Sequence, residues 1–376
     1  MMEPGPDLAQ IRTELARVDG ELIASIGDRM RCVRAVASFK AREGYPAFDR
    51  DREAGHLEDL ARRADALGIP RSVVRDVFGV LFAASRGVQR RILAAHAERF
   101  SVGIVGGTAG MGAFLARLLV GAGYPVETSG LGVGAPPEEL ASRHDLVILA
   151  VPISVTCEVA GRVGPRVRPG ACLADVTSVK RAPLSAMMAA APEGVDVVGT
   201  HPMFGPQGDD MDRQKVVLCR GRGEPGYGRV KRLFELFGAE TVEATPEEHD
   251  SQMALIQVLV HEKTMVLGSV LERLGADLGR SRELASPIYR AELAMIGRLF
   301  SQAAELYVDI LTSNDHAAAV SRLFVEEAAR FAEAVERGDR AALVARFRAV
   351  AGFLTDFAAW AKDESNAILA DLVRHG

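Results

Sequence analysis

The hydrophobic positions between Leu8 and Ala41 recur every three or four residues, which is the period of an α-helix. No proline or breaking pair interrupts this pattern, so it predicts one amphipathic helix of more than about nine turns. Two further helices are predicted, from about 49 to 67 and from just after Pro70 to about 98, separated at glycine and proline positions. A helix as long as the first cannot bury its apolar stripe alone, so a bundle or a dimer is expected.

The pattern changes after Phe100 to short apolar runs that alternate with helical segments. SVGIVGG predicts a buried strand, a glycine-rich turn follows, and Met111–Gly121 predicts the next helix. DLVILAVPIS and ACLADVTSVK predict further parallel strands, and ligands of such sheets bind at the carboxyl ends of the strands. From about Glu247 the chain reads as helical again and is apolar on more than one face, which is typical of a dimer core.

Three domains are therefore expected: an all-α helical domain over 1–97, an α/β Rossmann-like dinucleotide-binding domain over 98–245, and an all-α dimerisation and substrate domain over 246–376. The 376 residues are 48% hydrophobic, which is enough for several cores, and the net charge is only −5. No basic stripe suggests nucleic acid or an anionic membrane as a partner, so a small-molecule substrate is expected.

Compartment and metal content follow from the cysteines and from the first residues. The four cysteines lie far apart without a C-x-x-C pair, so neither a disulfide framework nor a metal site is predicted. MMEPGPDLAQ has no basic segment and no apolar segment of a leader, and the apolar run Leu146–Val151 is only as long as a strand. The protein is expected to be cytoplasmic.

The glycine-rich turn predicts a dinucleotide site. Gly107 and Gly112 take the first and third glycine places of the fingerprint, and Ala109 takes the second. The residues expected to contact the cofactor are Gly106, Gly107, Thr108, Ala109, Gly110, Met111, Gly112, Val151 and Pro152. Gly130 stands where an acid usually binds the adenosine ribose, and no arginine follows in LGVGAPP to bind a 2′-phosphate. NAD is therefore favoured over NADP.

Basic residues on the first helix suggest a second site. At 100° per residue, Arg29 and Lys40 lie about 20° apart around the helix, whereas Arg12 lies about 80° from Lys40. Arg29 and Lys40 can face one pocket, and Arg12 is expected to serve another. Any one basic residue on a helix is usually part of a solvated face, so the argument depends on the combination.

The combination over residues 8–92 resembles the helical chorismate mutase family, whose three helices form an intertwined dimer. The resemblance implies that Arg12 comes from the partner subunit and, with Arg29, holds the two carboxylates of chorismate. It also implies that Lys40 and Gln89 hydrogen-bond the ether oxygen. The remaining polar positions of the family's pattern are the acidic pair near the substrate hydroxyl, Asp49 and Glu53, and Ser85 on the last helix.

The chain from about 101 onward resembles prephenate dehydrogenase in the motifs DVTSVK, HPMFGP, EEHDSQMALIQ and SPIYRAELAMIGRLF. The order mutase then dehydrogenase resembles the T-protein family of tyrosine biosynthesis. The resemblance implies that His201 is catalytic, that Ser178 assists at the substrate hydroxyl and that Arg298 binds a substrate carboxylate. His261 matches a substrate-pocket residue, and Arg290, in the same motif as Arg298, is a candidate for either a substrate-binding or a structural role.

Elementary chemistry supports the assignment of His201. A histidine with a pKa near 6.5 can accept the hydroxyl proton of prephenate at neutral pH, and Pro202 favours extended backbone at His201. An isolated histidine beside a proline is more often structural, and the surrounding motif reverses that balance. His249 is as well explained by a helix cap as by a ligand contact.

Four alternatives stay open at this stage. The 4-amino-4-deoxy analogues of chorismate and prephenate differ only at the carbon that loses hydride, and Glu262 and Lys263 beside His261 could serve such a substrate or form a surface charge pair. Arogenate is a further candidate substrate. The N-terminal helices could instead serve only for dimerisation or regulation, or the nucleotide domain could be a cofactor sensor.

Overall fold

The computed structural model describes residues 7–45, 49–208 and 210–375. Pro46, one of the predicted helix breakers, and most of the segment searched for a leader lie outside these residues. The chain folds into two compact units. The first contains the chain up to Val151 together with Glu158–Val176 and Leu184–Ala244, and the second contains the segments Pro152–Cys157, Thr177–Pro183 and Thr245–Gly376.

The first unit opens with the three predicted helices, α1 (Leu8–Glu43), α2 (Arg50–Asp65) and α3 (Arg71–His96). The helix α1 begins after Asp7, whose carboxylate accepts from the Gln10 N–H, and ends at Gly44 with φ of 73°. Both α1 and α2 pack on α3. The helices are confirmed, yet most of the apolar stripe of α1 stays exposed in the single chain, at positions 8, 11, 15, 18 and 22.

A seven-stranded sheet follows in the same unit. Its strands are β1 (Val102–Val105), β2 (Val126–Ser129), β3 (Leu146–Leu149), β4 (Cys172–Asp175), β5 (Asp196–Pro202), β6 (Lys215–Arg222) and β7 (Glu240–Glu243). The order is β2-β1-β3-β4-β5-β6-β7. The strands β1 to β5 are parallel, β6 is antiparallel to β5, and β7 is parallel to β6. The chain reverses its winding direction between β1 and β3, which is the point where such sheets bind ligands.

The helices around the sheet are α4 (Gly110–Gly121), α5 (Pro137–Ala141), α6 (Ile153–Val163), α7 (Arg181–Ala190) and α8 (Glu224–Leu236), with a 3₁₀ turn at Gly164–Arg166. Successive strand residues point to opposite faces, so each face has a core of its own. Ile104 and Ile148 belong to one core, whereas Val105 and Val147 belong to the other. The predicted Rossmann-like architecture is confirmed.

The second unit is mostly helical, as expected. Its helices after the sheet are α9 (Pro246–Met253), α10 (Val260–Arg273), α11 (Leu278–Glu283), α12 (Pro287–Phe300), α13 (Ala304–Ser313), α14 (Ala317–Glu336), α15 (Arg340–Phe353) and α16 (Thr355–His375). A π-helical segment, Ala254–Leu259, joins α9 to α10 and packs against α14. The continuous helix Pro246–Arg273 is long and apolar enough to span a membrane by length and composition alone. Leu255, Ile256 and Val260 are exposed on it in the single chain.

Two candidate active sites

A cleft of about 520 Å³ lies among the three N-terminal helices. It is lined by six of the predicted substrate and catalytic residues, namely Arg29, Lys40, Asp49, Glu53, Ser85 and Gln89. These residues come from all three helices, so the bundle brings together side chains that are up to 60 positions apart in sequence. Arg52 and Arg86 also line the cleft and were not among the predicted residues.

Arg29 is held in place within the cleft by α3. Its Nη1 donates to Ser85 Oγ at 2.5 Å and to the Leu81 carbonyl at 3.3 Å, and its guanidinium lies 5.3 Å from the centre of the Phe82 ring. Burial lowers the pKa of Arg29, and the neighbouring Glu53 raises it. An arginine remains charged under these conditions, so the cleft contains a fixed cation with a planar fork.

Lys40 lies half-buried in the last turn of α1. Burial lowers the pKa of the Lys40 ammonium, the positive charge of Arg52 lowers it further, and Asp49 raises it. The lining contains four basic side chains, those of Arg29, Lys40, Arg52 and Arg86, and three carboxylates, those of Asp49, Glu53 and Asp59. Glu53 binds Arg86, and the remaining excess of positive charge favours a small anion.

Gln89 presents an unpaired polar atom. Its Oε1 is buried and has no hydrogen-bond partner among the described residues. A buried polar atom without a partner costs free energy, so it marks a place where a ligand group can bind. Since the oxygen and nitrogen of an amide exchange places by a flip, Gln89 can offer this ligand either an acceptor or a donor.

The acidic pair lies at the start of α2. Asp49 is the N-cap, and its carboxylate accepts from the Arg52 N–H at 3.0 Å. Glu53, one turn later, binds the Arg86 guanidinium. Arg52 could have been found from the sequence, because a residue three positions after Asp49 on a helix shares its face.

Arg12 does not line the cleft and is exposed. It lies on the same helix as Arg29, about 26 Å away along the axis at 1.5 Å per residue. A rigid helix cannot bring the two arginines to one small ligand. Within the single chain Arg12 therefore lies apart from the cleft that Arg29 and Lys40 line.

The glycine-rich turn joins β1 to α4 at the switch point of the sheet. Gly106 has φ of 86°, and a side chain there would overlap the Ala150 carbonyl. A Cβ at Gly107 would lie 2.6 Å from Thr128 Cγ2, and one at Gly112 would overlap the Gly106 carbonyl. These three positions therefore need glycine for space.

The first turn of α4 is open to an anion. Ala109 is the N-cap and makes no side-chain hydrogen bond to the helix, so the first N–H groups are uncapped by a side chain. Thr108, Ala109 and Gly110 are exposed, and no atom lies within 4 Å of the place where a Cβ on Gly110 would be. Uncapped N–H groups beside open space fit a pyrophosphate.

Gly130 follows β2 directly and faces this turn. A Cβ at Gly130 would overlap the Thr108 side chain. Any side chain at this position, including that of the usual acid, would require Thr108 or the backbone to shift.

His201 is the first residue of HPMFGP and the second-to-last residue of β5, and its side chain is buried. The preceding residue is held tightly: Thr200 donates from its N–H to Asp175 Oδ1 at 3.3 Å and from Oγ1 to the Asp175 carbonyl at 2.5 Å. The extended backbone expected at His201 is confirmed.

Ser178 belongs to the second unit and lies in the segment Thr177–Pro183. Asp250 fixes this segment, because it accepts from the N–H of Lys180 at 2.7 Å and from that of Arg181 at 2.9 Å. Burial alone would raise the pKa of Asp250, but a 2.7 Å contact with His249 Nδ1 and the two N–H donors lower it. His249 thus has a structural partner.

His261 and Arg298 converge on a third side chain that the sequence did not reveal. The His261 ring packs edge-on against Tyr307 at 4.9 Å, and burial lowers the pKa of His261. Burial raises the pKa of Tyr307, and the charge of Arg298 lowers it. Arg290, two turns earlier on α12, forms no side-chain hydrogen bond or ion pair with any residue that the structure describes.

The pair that follows His261 has partners within the chain. Lys263 Nζ lies 3.3 Å from Glu292 in an exposed ion pair. Glu262 Oε1 accepts from Ser321 Oγ at 2.6 Å. Lys263 thus belongs to a surface ion pair with Glu292 rather than with Glu262, and the second Glu262 oxygen, Oε2, is buried without a hydrogen-bond partner among the described residues.

Three family models match the chain. They are chorismate mutase type II over residues 11–90, the prephenate dehydrogenase nucleotide-binding domain over 126–258, and the prephenate dehydrogenase dimerization domain over 245–349. The fold and sites thus define a chorismate mutase joined to a prephenate dehydrogenase, an isomerase with an oxidoreductase.

The chain belongs to the T-protein family. It is 35% identical to the T-protein of Haemophilus influenzae over 315 residues, 83% of either chain, and equally identical to that of Enterobacter agglomerans over 84% of either chain. The 4-amino-4-deoxyprephenate dehydrogenase of Streptomyces pristinaespiralis is 33% identical over 57% of this chain and 78% of its own. The solved structure of A. aeolicus prephenate dehydrogenase with hydroxyphenyl propionate and NAD+ shares the fold, with a TM-score of 0.55 at 20% identity over 69% of this chain and 99% of that one.

Proposed function

We propose that the cleft among α1, α2 and α3 binds chorismate and that its lining residues carry the mutase reaction. Arg29 binds one carboxylate, and Ser85 orients the Arg29 guanidinium. Lys40 and Gln89 donate to the ether oxygen, while Asp49 and Glu53 face the substrate hydroxyl. The observation that carries this proposal is the cleft itself, which is lined by four basic side chains and by Gln89, whose Oε1 is buried without a hydrogen-bond partner among the described residues.

The reaction needs no nucleophile and no proton shuttle. Within one chorismate molecule a C–O bond breaks as a C–C bond forms, and negative charge gathers on the ether oxygen in the transition state. Hydrogen bonds from Lys40 and Gln89 strengthen as that charge develops, which lowers the barrier. Holding the flexible dianion in its compact conformer contributes much of the rest.

Arg12 completes this cleft from a partner subunit in a homodimer. Two features support the proposal: the exposed apolar stripe of α1 and the exposed apolar residues of the helix Pro246–Arg273. Both need a cover in water, and a second copy of the chain offers matching faces. We also propose that the enzyme is cytoplasmic and that its domains span residues 1–97, 98–245 and 246–376.

In the dehydrogenase, the turn Gly106–Gly112 together with Val151 and Pro152 holds NAD, which supplies the hydride acceptor when bound. Gly130 and Thr108 leave no room for a ribose-binding acid, so the uncapped N-terminus of α4 contributes most of the recognition. NAD is preferred over NADP because LGVGAPP offers no cation to a 2′-phosphate.

His201 accepts the proton of the prephenate hydroxyl as the hydride leaves the same carbon, and Ser178 hydrogen-bonds that hydroxyl. Arg298 binds a carboxylate, and His261 and Arg290 line the substrate pocket. Loss of CO₂ from the opposite ring carbon yields 4-hydroxyphenylpyruvate, and aromatisation makes the step favourable. The ion pair of Lys263 with Glu292 accounts for the lysine without an amino substrate, and the similarity to T-proteins over 83% of the chain favours the hydroxyl compound.

A paired assay tests the substrate. Purified enzyme is supplied with NAD and either chorismate or its 4-amino-4-deoxy analogue, NADH absorbance is followed, and products are identified by mass. Faster formation of 4-hydroxyphenylpyruvate is expected. Preferential formation of the 4-amino product would overturn the substrate assignment.

Two variants separate the sites in the same assay. Lys40→Ala should abolish mutase turnover and leave dehydrogenase turnover of added prephenate unchanged. His201→Asn should leave NAD binding intact and lower dehydrogenase turnover by about 100-fold or more. Equal loss of both activities in the Lys40 variant would contradict the two-site assignment.

A further inference from the structure

Arg86 lies on α3 beside Ser85 and connects two carboxylates. Its side chain is only 7% exposed. The Nη1 atom binds Glu53 in the mutase cleft. On its other side, Nε lies 2.9 Å from both oxygens of Asp212, and Nη2 lies 2.8 Å from Oδ2. The guanidinium thus joins the cleft to a residue more than 100 positions further along the chain.

Asp212 is firmly anchored in the part of the first unit that contains the sheet. The neighbouring Met211 side chain is fully buried in the sheet core, and its N–H donates to the Phe237 carbonyl. On the other side, the Arg213 N–H donates to the Gly238 carbonyl at 2.9 Å. Arg213 adopts φ of 61°, the left-handed region that non-glycine residues seldom occupy. A backbone held in that conformation gives Asp212 one fixed position.

Arg90 forms a second connection on the same face of α3, one turn later. It reaches Asp212 at 2.6 Å and Asp210 at 2.5 Å. Asp210 is half exposed and binds Arg90, whereas Asp212 binds both arginines and is only 16% exposed. The loop before β6 therefore offers two acidic residues of similar chemistry, and Asp212 is the one joined to Glu53 through Arg86.

We propose that Asp212, from the nucleotide-binding domain, is a positioning residue of the mutase: it fixes Arg86, and Arg86 fixes the Glu53 carboxylate in the cleft. The proposal rests on the proposed role of Glu53 at the substrate hydroxyl. A glutamate alone samples several rotamers, and a forked guanidinium restricts it to one geometry. Arg86 can hold this geometry because Asp212 compensates its buried charge from the opposite side.

Removal of the Asp212 charge lowers mutase activity through the contacts from Asp212 to Arg86 and from Arg86 to Glu53. In Asp212→Asn the amide can accept at one oxygen only, and Arg86 loses the charged partner that holds it from the side opposite Glu53. The guanidinium then follows Glu53, and the Glu53 carboxylate loses its fixed orientation toward the substrate. A displacement of about 1 Å at a reacting group can lower the rate by about 100-fold.

The test compares Asp212→Asn with Asp210→Asn in the full-length enzyme. Mutase kcat and KM are measured with chorismate, and dehydrogenase kcat is measured with NAD and added prephenate. We expect Asp212→Asn to lower mutase kcat/KM by about 10- to 100-fold and to leave dehydrogenase kcat near the wild-type value. Asp210→Asn should leave both activities near their wild-type values. Equal effects of the two substitutions, or equal loss of both activities, overturn the proposal.

A double-mutant cycle with Glu53→Gln separates positioning from general support of the fold. If Asp212 acts through Glu53, Asp212→Asn costs little further activity once Glu53 is already Gln. A full additional loss overturns the proposal. Should Asp212→Asn not fold, Arg86→Lys provides the same test, because lysine keeps the charge but cannot hold two carboxylates in a fork. Wild-type mutase activity in Glu53→Gln alone would instead contradict the proposed function.

Discussion

The pKa of a side chain in the mutase cleft depends on its burial and on the charges beside it. Lys40 is the clearest case, because burial and the charge of Arg52 both lower its pKa. In the proposed mechanism the ammonium must be protonated to donate to the ether oxygen of chorismate. The charge of this one residue should therefore make the rate depend on pH.

We predict that mutase kcat/KM falls as the pH rises through the pKa of Lys40, at a pH below the ordinary lysine value of about 10.4. The sign follows from the protonated form being the active one. Replacing Arg52 by Gln removes a neighbouring positive charge, so the alkaline limb should move to higher pH whatever happens to the maximal rate. The measurement is a profile of kcat/KM from pH 7 to the alkaline limit, and an unmoved limb in the Arg52 variant would contradict the account.

At the scale of elements, the turn between β1 and α4 is fitted closely to the end of β2. A side chain at Gly130, directly after β2, would overlap the side chain of Thr108 in the turn. The sequence shows only that the expected acid is missing after β2, whereas the packing of two elements shows that an acid there would require a shift.

We predict that Gly130→Asp weakens NAD binding by about tenfold or more, because an overlap in a packed region forces the backbone to shift. In a Thr108→Gly background the same substitution should weaken NAD binding clearly less, since the overlapping side chain is gone. Calorimetric titration with NAD measures both effects. Identical losses in the two backgrounds would show that Thr108 does not exclude the acid.

At the scale of the whole molecule, exposed apolar faces on α1 and on the helix Pro246–Arg273 call for a partner. Arg12 lies about 26 Å along α1 from Arg29, so its proposed role in the mutase requires a second chain. The homodimer and the role of Arg12 can therefore be tested together.

We predict that Arg12→Ala and Lys40→Ala each lack mutase activity and that mixing them with subunit exchange restores about a quarter of the sites. Half of the dimers are then mixed, and each mixed dimer has one cleft with both residues intact. The matched control mixes Lys40→Ala with Gln89→Ala, which lie in the same cleft, and should restore nothing. Failure of the first mixture despite proven exchange would remove Arg12 from the partner's cleft.

The local sequence pattern was sufficient to predict much of the fold and chemistry of this protein. The period of the apolar positions predicted the N-terminal helices, and alternating strands and helices predicted the Rossmann-like sheet. The angle between Arg29 and Lys40 predicted a shared pocket, because residues on one helix have a fixed angular relation. Motifs such as HPMFGP and DVTSVK indicated the chemistry, since they bring their residues together within a few positions.

Contacts between distant segments were decided only by folding. Arg86 and Asp212 are more than 100 positions apart, and neither belongs to a motif that predicts the other. The packing of Tyr307 on His261 and the overlap of Gly130 with Thr108 are of the same kind. A helix or strand is specified by residues close in sequence, whereas the partner of a buried charge is specified by how whole elements pack. The sequence therefore predicted the two chemistries, and the tertiary structure revealed the ion pairs that join the mutase cleft to the nucleotide-binding domain.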